Sequence, residues 1–367
     1  MTLIVSIKSE GFTVVVSDLL LSSKAKAKHS LLLPASGVKE NTFNVDGWYL
    51  SSLQQKSIII NKNLAVTYAG NADQAKDIIS FMKDYFKTPE SVTHERIEEF
   101  VRAHTAVEKD ISIMCHLIGP ENLLSYFHYK TASEPHATYP KIPFHYAGSG
   151  GKEFKSMIRN CVIKHDPIKS EEDKMGFYLY QALLVSASLI YKEMISSTRF
   201  LQYLIGGGYE IIHNDKNGFR KLSDVMYVFW SYEKSDNDCH LLLNSIIMKI
   251  SYHNSLMILR IFEVDIAKKQ VIQNNIYVVN PVLSTDEKIT DINELGDEIL
   301  DLKCTFQFNY VLASDGNKHQ SFGSLSINNQ RIHPVSISVE DEFKLRLSIK
   351  SDLIDKLKNL AQSIIGS

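Results

Sequence analysis

Apolar and polar positions along the first seventy residues fall into short runs of the kind that make strands. Residues 3–7 and 12–17 are two such runs, parted by Lys8-Ser9-Glu10-Gly11, and this spacing predicts a hairpin with Gly11 at its turn. Asp18 closes the second run. Residues 19–55 keep no sustained period, and they read as a long excursion over the surface, past Pro34. Within it Lys24, Lys26 and Lys28 form a solvated face. Residues 57–61 and 64–69 are again strand-like, joined by Lys62-Asn63. Gly70 stops the second of them and Asn71 caps the next element.

The period then turns helical. Over 72–86 the residues Ala72, Ala75, Ile78, Ile79, Met82, Tyr85 and Phe86 share one face. A second helix is predicted over about 90–109, with Ile97, Phe100 and Val101 inward and His104 a tolerated polar neighbour. Strands at 111–118 and 123–129 precede a loop carrying His136. A short strand at 144–147 runs into Gly148-Ser149-Gly150-Gly151. Helices follow, one through Phe154, Met157, Ile158, Cys161 and Val162, and a longer one over 172–197. Gly206-Gly207-Gly208 opens another strand pair, at 209–213 and from Phe219. Strands, two helices, strands, two helices, strands: this order predicts two stacked antiparallel sheets between helical layers.

Residues 231–240 are charged and turn-rich, which makes them a linker candidate. Beyond lie strand-like runs at 240–252, 255–264, 270–279, 305–312, 322–327 and 333–339, with turns at Asp315-Gly316-Asn317-Lys318 and Asn328-Asn329. An amphipathic helix carrying Leu353, Leu357, Leu360 and Ile364 ends the chain. The expected organisation is therefore a first domain over 1–232 and a β-rich one, a sandwich or similar module, over 233–367. A length of 367 residues agrees with two domains.

Composition narrows the function. With 44% hydrophobic and 22% charged residues the chain has the make-up of a globular protein. A net charge of −2 supplies no basic field for nucleic acid or for an acidic membrane surface. The four cysteines, Cys115, Cys161, Cys239 and Cys304, contain no CxxC spacing, which argues against zinc and a disulfide framework and for a reducing interior. The thirteen histidines show no HExxH, so no metal is implied, and His145 and His213 read as core residues. The opening residues lack the build of a signal peptide, and no apolar run is long enough to span a bilayer; a cytoplasmic protein is expected. Gly148-Ser149-Gly150-Gly151 completes neither GxxxxGK[ST] nor GxGxxG, so a phosphate cradle is disfavoured.

The remaining chemistry sits at the start of the chain. Thr2 follows Met1, and removal of Met1 would leave a hydroxyl and a free α-amine on one residue. A threonine hydroxyl needs a base to take its proton, and an N-terminal amine is one such base. Its ordinary pKa of about 8 lies close to neutrality. A nearby cation lowers it further, and Lys56 is the candidate.

Thr2-Leu-Ile-Val-Ser-Ile, the turn, and Thr13-Val-Val-Val-Ser-Asp18 resemble the opening of proteasome β-subunits and their simpler bacterial relatives. Lys56-Ser-Ile-Ile-Ile-Asn-Lys-Asn-Leu-Ala-Val-Thr-Tyr-Ala-Gly70 is similar to the family's second block, Gly148-Ser149-Gly150 before a helix to its third, and the turn at 206–208 to its fourth. The resemblance covers residues 2 to about 232. It implies an α+β fold, the four-layer αββα sandwich of N-terminal-nucleophile hydrolases, here with a β-rich C-terminal domain. It implies amide hydrolysis through an acyl-enzyme on Thr2, without a cofactor. Asp18 and Lys56 would orient and tune Thr2, the Gly70 N–H would face the oxyanion, Ser149 would help place the amine or a water, and Tyr68 would line the substrate pocket. The implied partners are a polypeptide or small amide substrate, further copies of the chain in a ring or other oligomer, and a partner ATPase or regulator. The chain departs from the pattern where active members carry an Asp and a Ser just before the last glycines: here stands Tyr203-Leu204-Ile205. A catalytically silent scaffold or sensor is the alternative that this departure keeps open.

Overall fold

The computed structural model describes residues 2–9, 11–25, 31–35, 39–40, 44–105, 110–119, 123–134, 144–159, 161, 171–196, 201–234, 238–283, 302–316, 319–327, 333–341 and 344–365. Met1, Lys26, Lys28, His136, Val162, Asn317, Lys318, Asn328 and Asn329, all singled out above, lie outside them.

Strands β1 (Ile4–Ser9) and β2 (Phe12–Asp18) form the hairpin that the spacing predicts, with Ile4 opposite Ser17 and Gly11 at φ 77° in the turn. The next segment departs from the expected surface excursion. It forms β3 (Leu20–Ser23), β4 (Leu31–Leu32), β5 (Lys39–Glu40), β6 (Asn44–Val45) and β7 (Trp48–Leu53). Leu20, Leu33 and Leu50 of this segment are buried with Leu201 and Leu204, so its apolar residues seal part of the interior. Then come β8 (Ser57–Asn61), β9 (Leu64–Gly70), α1 (Ala72–Tyr85) and α2 (His94–Thr105). Asn71 caps α1, its side chain accepting from the Gln74 N–H at 3.1 Å. The chain continues through β10 (Ile111–Ile118), β11 (Leu124–Tyr129), β12 (Ala132–Glu134), β13 (Phe144–Ala147), α3 (Gly151–Ile158) and α4 (Glu171–Ile195). Strands β14 (Tyr209–Asp215) and β15 (Gly218–Lys221) follow the triple glycine.

A six-stranded sheet, ordered β12-β13-β1-β2-β14-β15, faces a four-stranded one, β11-β10-β9-β8. Between them lie small groups of side chains, Ile4, Ala69, Met114 and Ala147 in one and Ala65, Ile118, Ile212 and Phe219 in another. Helices α1 and α2 cover the far face of the four-stranded sheet, with Ile78, Ile79, Met82 and Phe100 packed on Val66 and Ile113.

The other side overturns the expected architecture. Strands β16 (Val225–Lys234), β17 (Cys239–His253), β18 (Leu256–Asp265), β19 (Gln270–Val279), β20 (Phe306–Ser314), β21 (His319–Ile327), β22 (Val335–Asp341) and β23 (Lys344–Ile349) build one curled sheet. Its order is β21-β20-β16-β17-β18-β19-β23-β22, and it is mixed because β16 runs parallel to β20. Helix α5 (Ser351–Ile365) lies on its outer face through Leu353, Leu357 and Ala361. Every residue of α4 from 177 to 191 is buried. Its side chains meet Val14 and Val16 of the six-stranded sheet and also Tyr227, Phe308 and Tyr310 of the large sheet. The protein is therefore not a four-layer αββα sandwich. Strands make up 52% and helices 27% of the described residues, and the helix layer expected outside is enclosed between two sheets. The cause lies in the sequence of α4, which is apolar all round rather than along one stripe, and such a helix has to be covered on every side. Residues 231–234, expected in a linker, instead complete β16 and pair with β17. The expected boundary at 232/233 thus falls inside a strand. No described helix is long and apolar enough to cross a membrane.

Candidate functional site

Thr2, Asp18 and Lys56 meet where the first hairpin, the strand after residue 56 and the turn before β14 converge. Pairing of β1 with β2 brings Asp18 back beside the start of the chain, and the Asp18 N–H donates to the Leu3 carbonyl at 3.1 Å. Asp18 Oδ1 accepts from Thr2 Oγ1 at 2.9 Å, from the Leu3 N–H at 2.9 Å and from Lys56 Nζ at 2.7 Å. Its Oδ2 accepts from the Gly206 N–H at 3.3 Å. Lys56 Nζ also donates to Thr2 Oγ1 and to the Leu20 carbonyl, the latter at 2.6 Å. An ammonium has three hydrogens, and here each has an acceptor. Thr2 and Lys56 are 1% exposed and Asp18 is fully buried, so this ion pair is screened by protein rather than by water. Burial pulls the Lys56 pKa below its ordinary value, and the adjacent Asp18 carboxylate acts against that pull.

A second buried carboxylate fixes the backbone that carries Lys56. Glu210 of β14 accepts through Oε1 from the Lys56 N–H at 2.5 Å, the Ser57 N–H at 2.7 Å and Ser17 Oγ at 3.0 Å. Its Oε2 accepts from Lys221 Nζ, which also donates to Gln55 Oε1 at 2.8 Å. Gln55 in turn donates through Nε2 to the Ser255 and Val279 carbonyls at 2.8 and 2.7 Å, so the residue preceding Lys56 is held by the large sheet. Buried polar groups are tolerated when they are paired, and every bond named here joins a donor to an acceptor.

Gly70 and Ser149 lie apart from the trio but border a common cavity of about 380 Å³, with Asp110, Ser112, Lys130 and Gly148. The cavity adjoins Thr2 on its backbone side: an atom placed where a Gly148 Cβ would be comes 1.9 Å from the Thr2 carbonyl oxygen. The Gly150 N–H donates to that oxygen at 3.3 Å. Ser149 Oγ donates to the Tyr203 carbonyl at 2.6 Å, and so ties the loop before α3 to the segment before the triple glycine. Tyr68 is elsewhere. Its ring is 1% exposed within the core between the four-stranded sheet and α1, and its hydroxyl donates to Gln54 Oε1 at 3.1 Å. Burial drives its phenol far above the ordinary range.

The residues missed from the sequence are Glu193, Glu210 and Gln55. Each had a signal. Glu193 is an acid inside the apolar α4, and Glu210 interrupts the apolar run of β14; a charged residue in such a place needs a buried partner. Gln55 offered only its position before Lys56.

Chemically, the arrangement presents a hydroxyl in contact with a cation and with a carboxylate, sealed from bulk water. No protein-family model matches the chain, and no curated protein matches it in sequence.

Proposed function

We propose that Thr2 is the nucleophile of a threonine-type hydrolase that cleaves peptide or small amide bonds once Met1 has been removed. The observation that carries this reading is the contact of Thr2 Oγ1 with both Lys56 Nζ and Asp18 Oδ1. Lys56 has all three ammonium hydrogens engaged, which suits it to act as a fixed cation rather than as the base. The freed α-amine of Thr2 is then the base, and the neighbouring positive charge favours its neutral form. Thr2 Oγ attacks the amide carbonyl while its proton passes to the amine. The C–N bond breaks, the leaving nitrogen takes that proton, and an ester on Thr2 remains. Water, deprotonated by the same amine, hydrolyses the ester and restores the hydroxyl. The Gly70 N–H is the proposed donor to the oxyanion, a contribution of about 3–4 kcal/mol where such a donor is well aimed. The reading is supported by the common cavity that Gly70 and Ser149 border beside Thr2. The resemblance to proteasome β-subunits adds self-assembly and a partner ATPase or regulator as parts of the same proposal, and the sequence reading adds a cytoplasmic setting.

The test is hydrolysis of a panel of fluorogenic peptide amides and small acyl amides by the mature chain. Turnover that disappears in Thr2→Ala supports the reading, and turnover that survives in Thr2→Ala removes it. One observation favours a second reading, a silent scaffold: Thr2 is 1% exposed, so its hydroxyl does not face solvent. A chain that keeps Met1 when isolated from cells and hydrolyses no member of the panel fits the scaffold.

A further inference from the structure

Three consecutive glycines precede β14, and all three adopt positive φ: 127° at Gly206, 72° at Gly207 and 104° at Gly208. Side chains are also excluded by space. A Cβ at Gly206 would lie 2.6 Å from Glu193 Oε2, and one at Gly207 would lie 2.4 Å from Leu53 Cδ2. Successive N–H groups in such a turn form a concave anion nest. This one faces two carboxyl groups. The Gly206 N–H donates to Asp18 Oδ2, and the Gly207 N–H is shared by Glu193 Oε1 and Oε2 at 3.2 and 3.1 Å. The Gly206 carbonyl accepts in return from the N–H groups of Leu19 and Leu20, at 3.2 and 3.0 Å, and Leu20 is the residue whose carbonyl receives Lys56. Glu193 comes from the middle layer, on α4, and is fully buried. Among the described residues no cation is paired with it. Burial, with the Asp18 charge nearby, drives its carboxyl up to about 8, against the opposing pull of the Gly207 N–H.

We propose that Glu193 is a positioning residue for the Thr2 site: it holds the Gly206–Gly208 turn so that the turn binds Asp18 Oδ2 and leaves Oδ1 to Thr2 and Lys56. This rests on Thr2 being the nucleophile. The chain from Glu193 to the reacting hydroxyl is short and continuous: Glu193 to Gly207, Gly206 to Asp18, Asp18 to Thr2. The role requires reach and an acceptor, and it does not require charge. Glutamine preserves reach and a carbonyl acceptor. Aspartate preserves the carboxyl group and is one methylene too short. Alanine preserves neither.

The experiment follows the rate at which a β-lactone probe acylates Thr2, read by intact mass, in the wild-type chain and in Glu193→Gln, Glu193→Asp and Glu193→Ala. Circular dichroism and urea midpoints establish that each variant is folded. Acylation in Glu193→Gln stays within about threefold of wild type, while Glu193→Asp and Glu193→Ala slow it by about tenfold or more, since misplacement by about 1 Å is enough for such a loss. Where wild type is acylated, equal rates in all four chains overturn the proposal, as does a Glu193→Gln variant as slow as Glu193→Ala. A second readout needs no chemistry at Thr2. In protein labelled with 13C at lysine Cε, the Lys56 resonance, assigned by its loss in Lys56→Arg, shifts in the Asp and Ala variants and holds its position in the Gln variant. If wild type is never acylated at Thr2 and the resonance behaves in this way, the hydrolase reading falls, while the hold of Glu193 on the Gly206–Gly208 turn and the Asp18–Lys56 pair stands. If wild type is acylated and the resonance is the same in all the Glu193 variants, the positioning role falls alone.

Discussion

Replacing Asp18 by alanine is the sharpest perturbation of the buried cluster. Lys56 then keeps the Thr2 hydroxyl and the Leu20 carbonyl as acceptors and loses its contact with the Asp18 carboxylate, at a site where the side chain is 1% exposed. Removing one partner of a buried ion pair costs about 3–5 kcal/mol, because the remaining charge has neither water nor a counter-charge. The N–H groups of Leu3 and Gly206 lose their acceptor as well, adding about 1–3 kcal/mol apiece where water does not replace it. Deprotonation of Lys56 limits the loss. Burial already lowers its pKa and Asp18 raises it, so without Asp18 it falls further. The sign comes from linkage. A folded-state lysine pKa below the unfolded value means that the unfolded chain binds more protons between the two, so Asp18→Ala regains stability as pH rises towards the unfolded lysine pKa of about 10.4, by at most about 1.4 kcal/mol per pH unit. Urea unfolding followed through Trp48 and Trp230 fluorescence, at pH 7 and pH 9, measures both quantities. Adding Lys56→Met to Asp18→Ala removes the orphaned charge and recovers about 2 kcal/mol or more, a coupling of the size that double-mutant cycles find for residues in contact. A loss below about 1 kcal/mol in Asp18→Ala, with no recovery in the double variant, would refute a buried charge pair at this site.

Two further outcomes concern other parts of the molecule. His116, His128 and His145 cluster near Lys8, with ring centroids 5.4 Å apart for the first pair and 4.8 Å for the second. Burial holds His128 down to about 3 and His116 well below its ordinary value. Depressed folded pKa values mean that stability is complete above about pH 6.5 and is lost as pH falls below it, by about 2 kcal/mol per ring at pH 5. Urea midpoints at pH 7.5 and 5.0 should therefore diverge, and His128→Phe should reduce the divergence; equal slopes in both chains would count against these rings as the cause. Gly148→Ala places a methyl at φ 97° within 1.9 Å of the Thr2 carbonyl oxygen, a backbone collision that side-chain adjustment does not relieve. The backbone conformation alone costs about 1 kcal/mol, and the displaced Thr2 makes the loss larger; a thermal midpoint unchanged from wild type would contradict that packing.

Periodicity made the first hairpin, α1 with its Asn71 cap and the strands around residue 60 legible, because each depends on neighbours close in sequence. The meeting of Thr2, Asp18 and Lys56 was also legible, since two adjoining strands bring them together. The layer order was not. It depends on α4 having apolar side chains on every face, and the large sheet that covers it pairs β16 in parallel with β20, a strand far along the chain. Strand partners that distant leave no local period to read. The roles of Glu193 and Gln55 were hidden for the same reason: one reaches the site from the enclosed helix, and the other is gripped by carbonyls of the large sheet. The direction of the Tyr68 ring, into the core under α1, was likewise not legible from its position along the strand.

The proposed chemistry requires the Thr2 hydroxyl to be a nucleophile primed by the Lys56–Asp18 pair. Peptide mapping of the mature chain after exposure to an epoxyketone or β-lactone addresses this most directly. A single adduct on Thr2, absent in Thr2→Ala and strongly reduced in Lys56→Met, is the predicted result. A wild-type chain with Met1 removed and Thr2 unmodified, or an adduct that forms equally well in Lys56→Met, would contradict it.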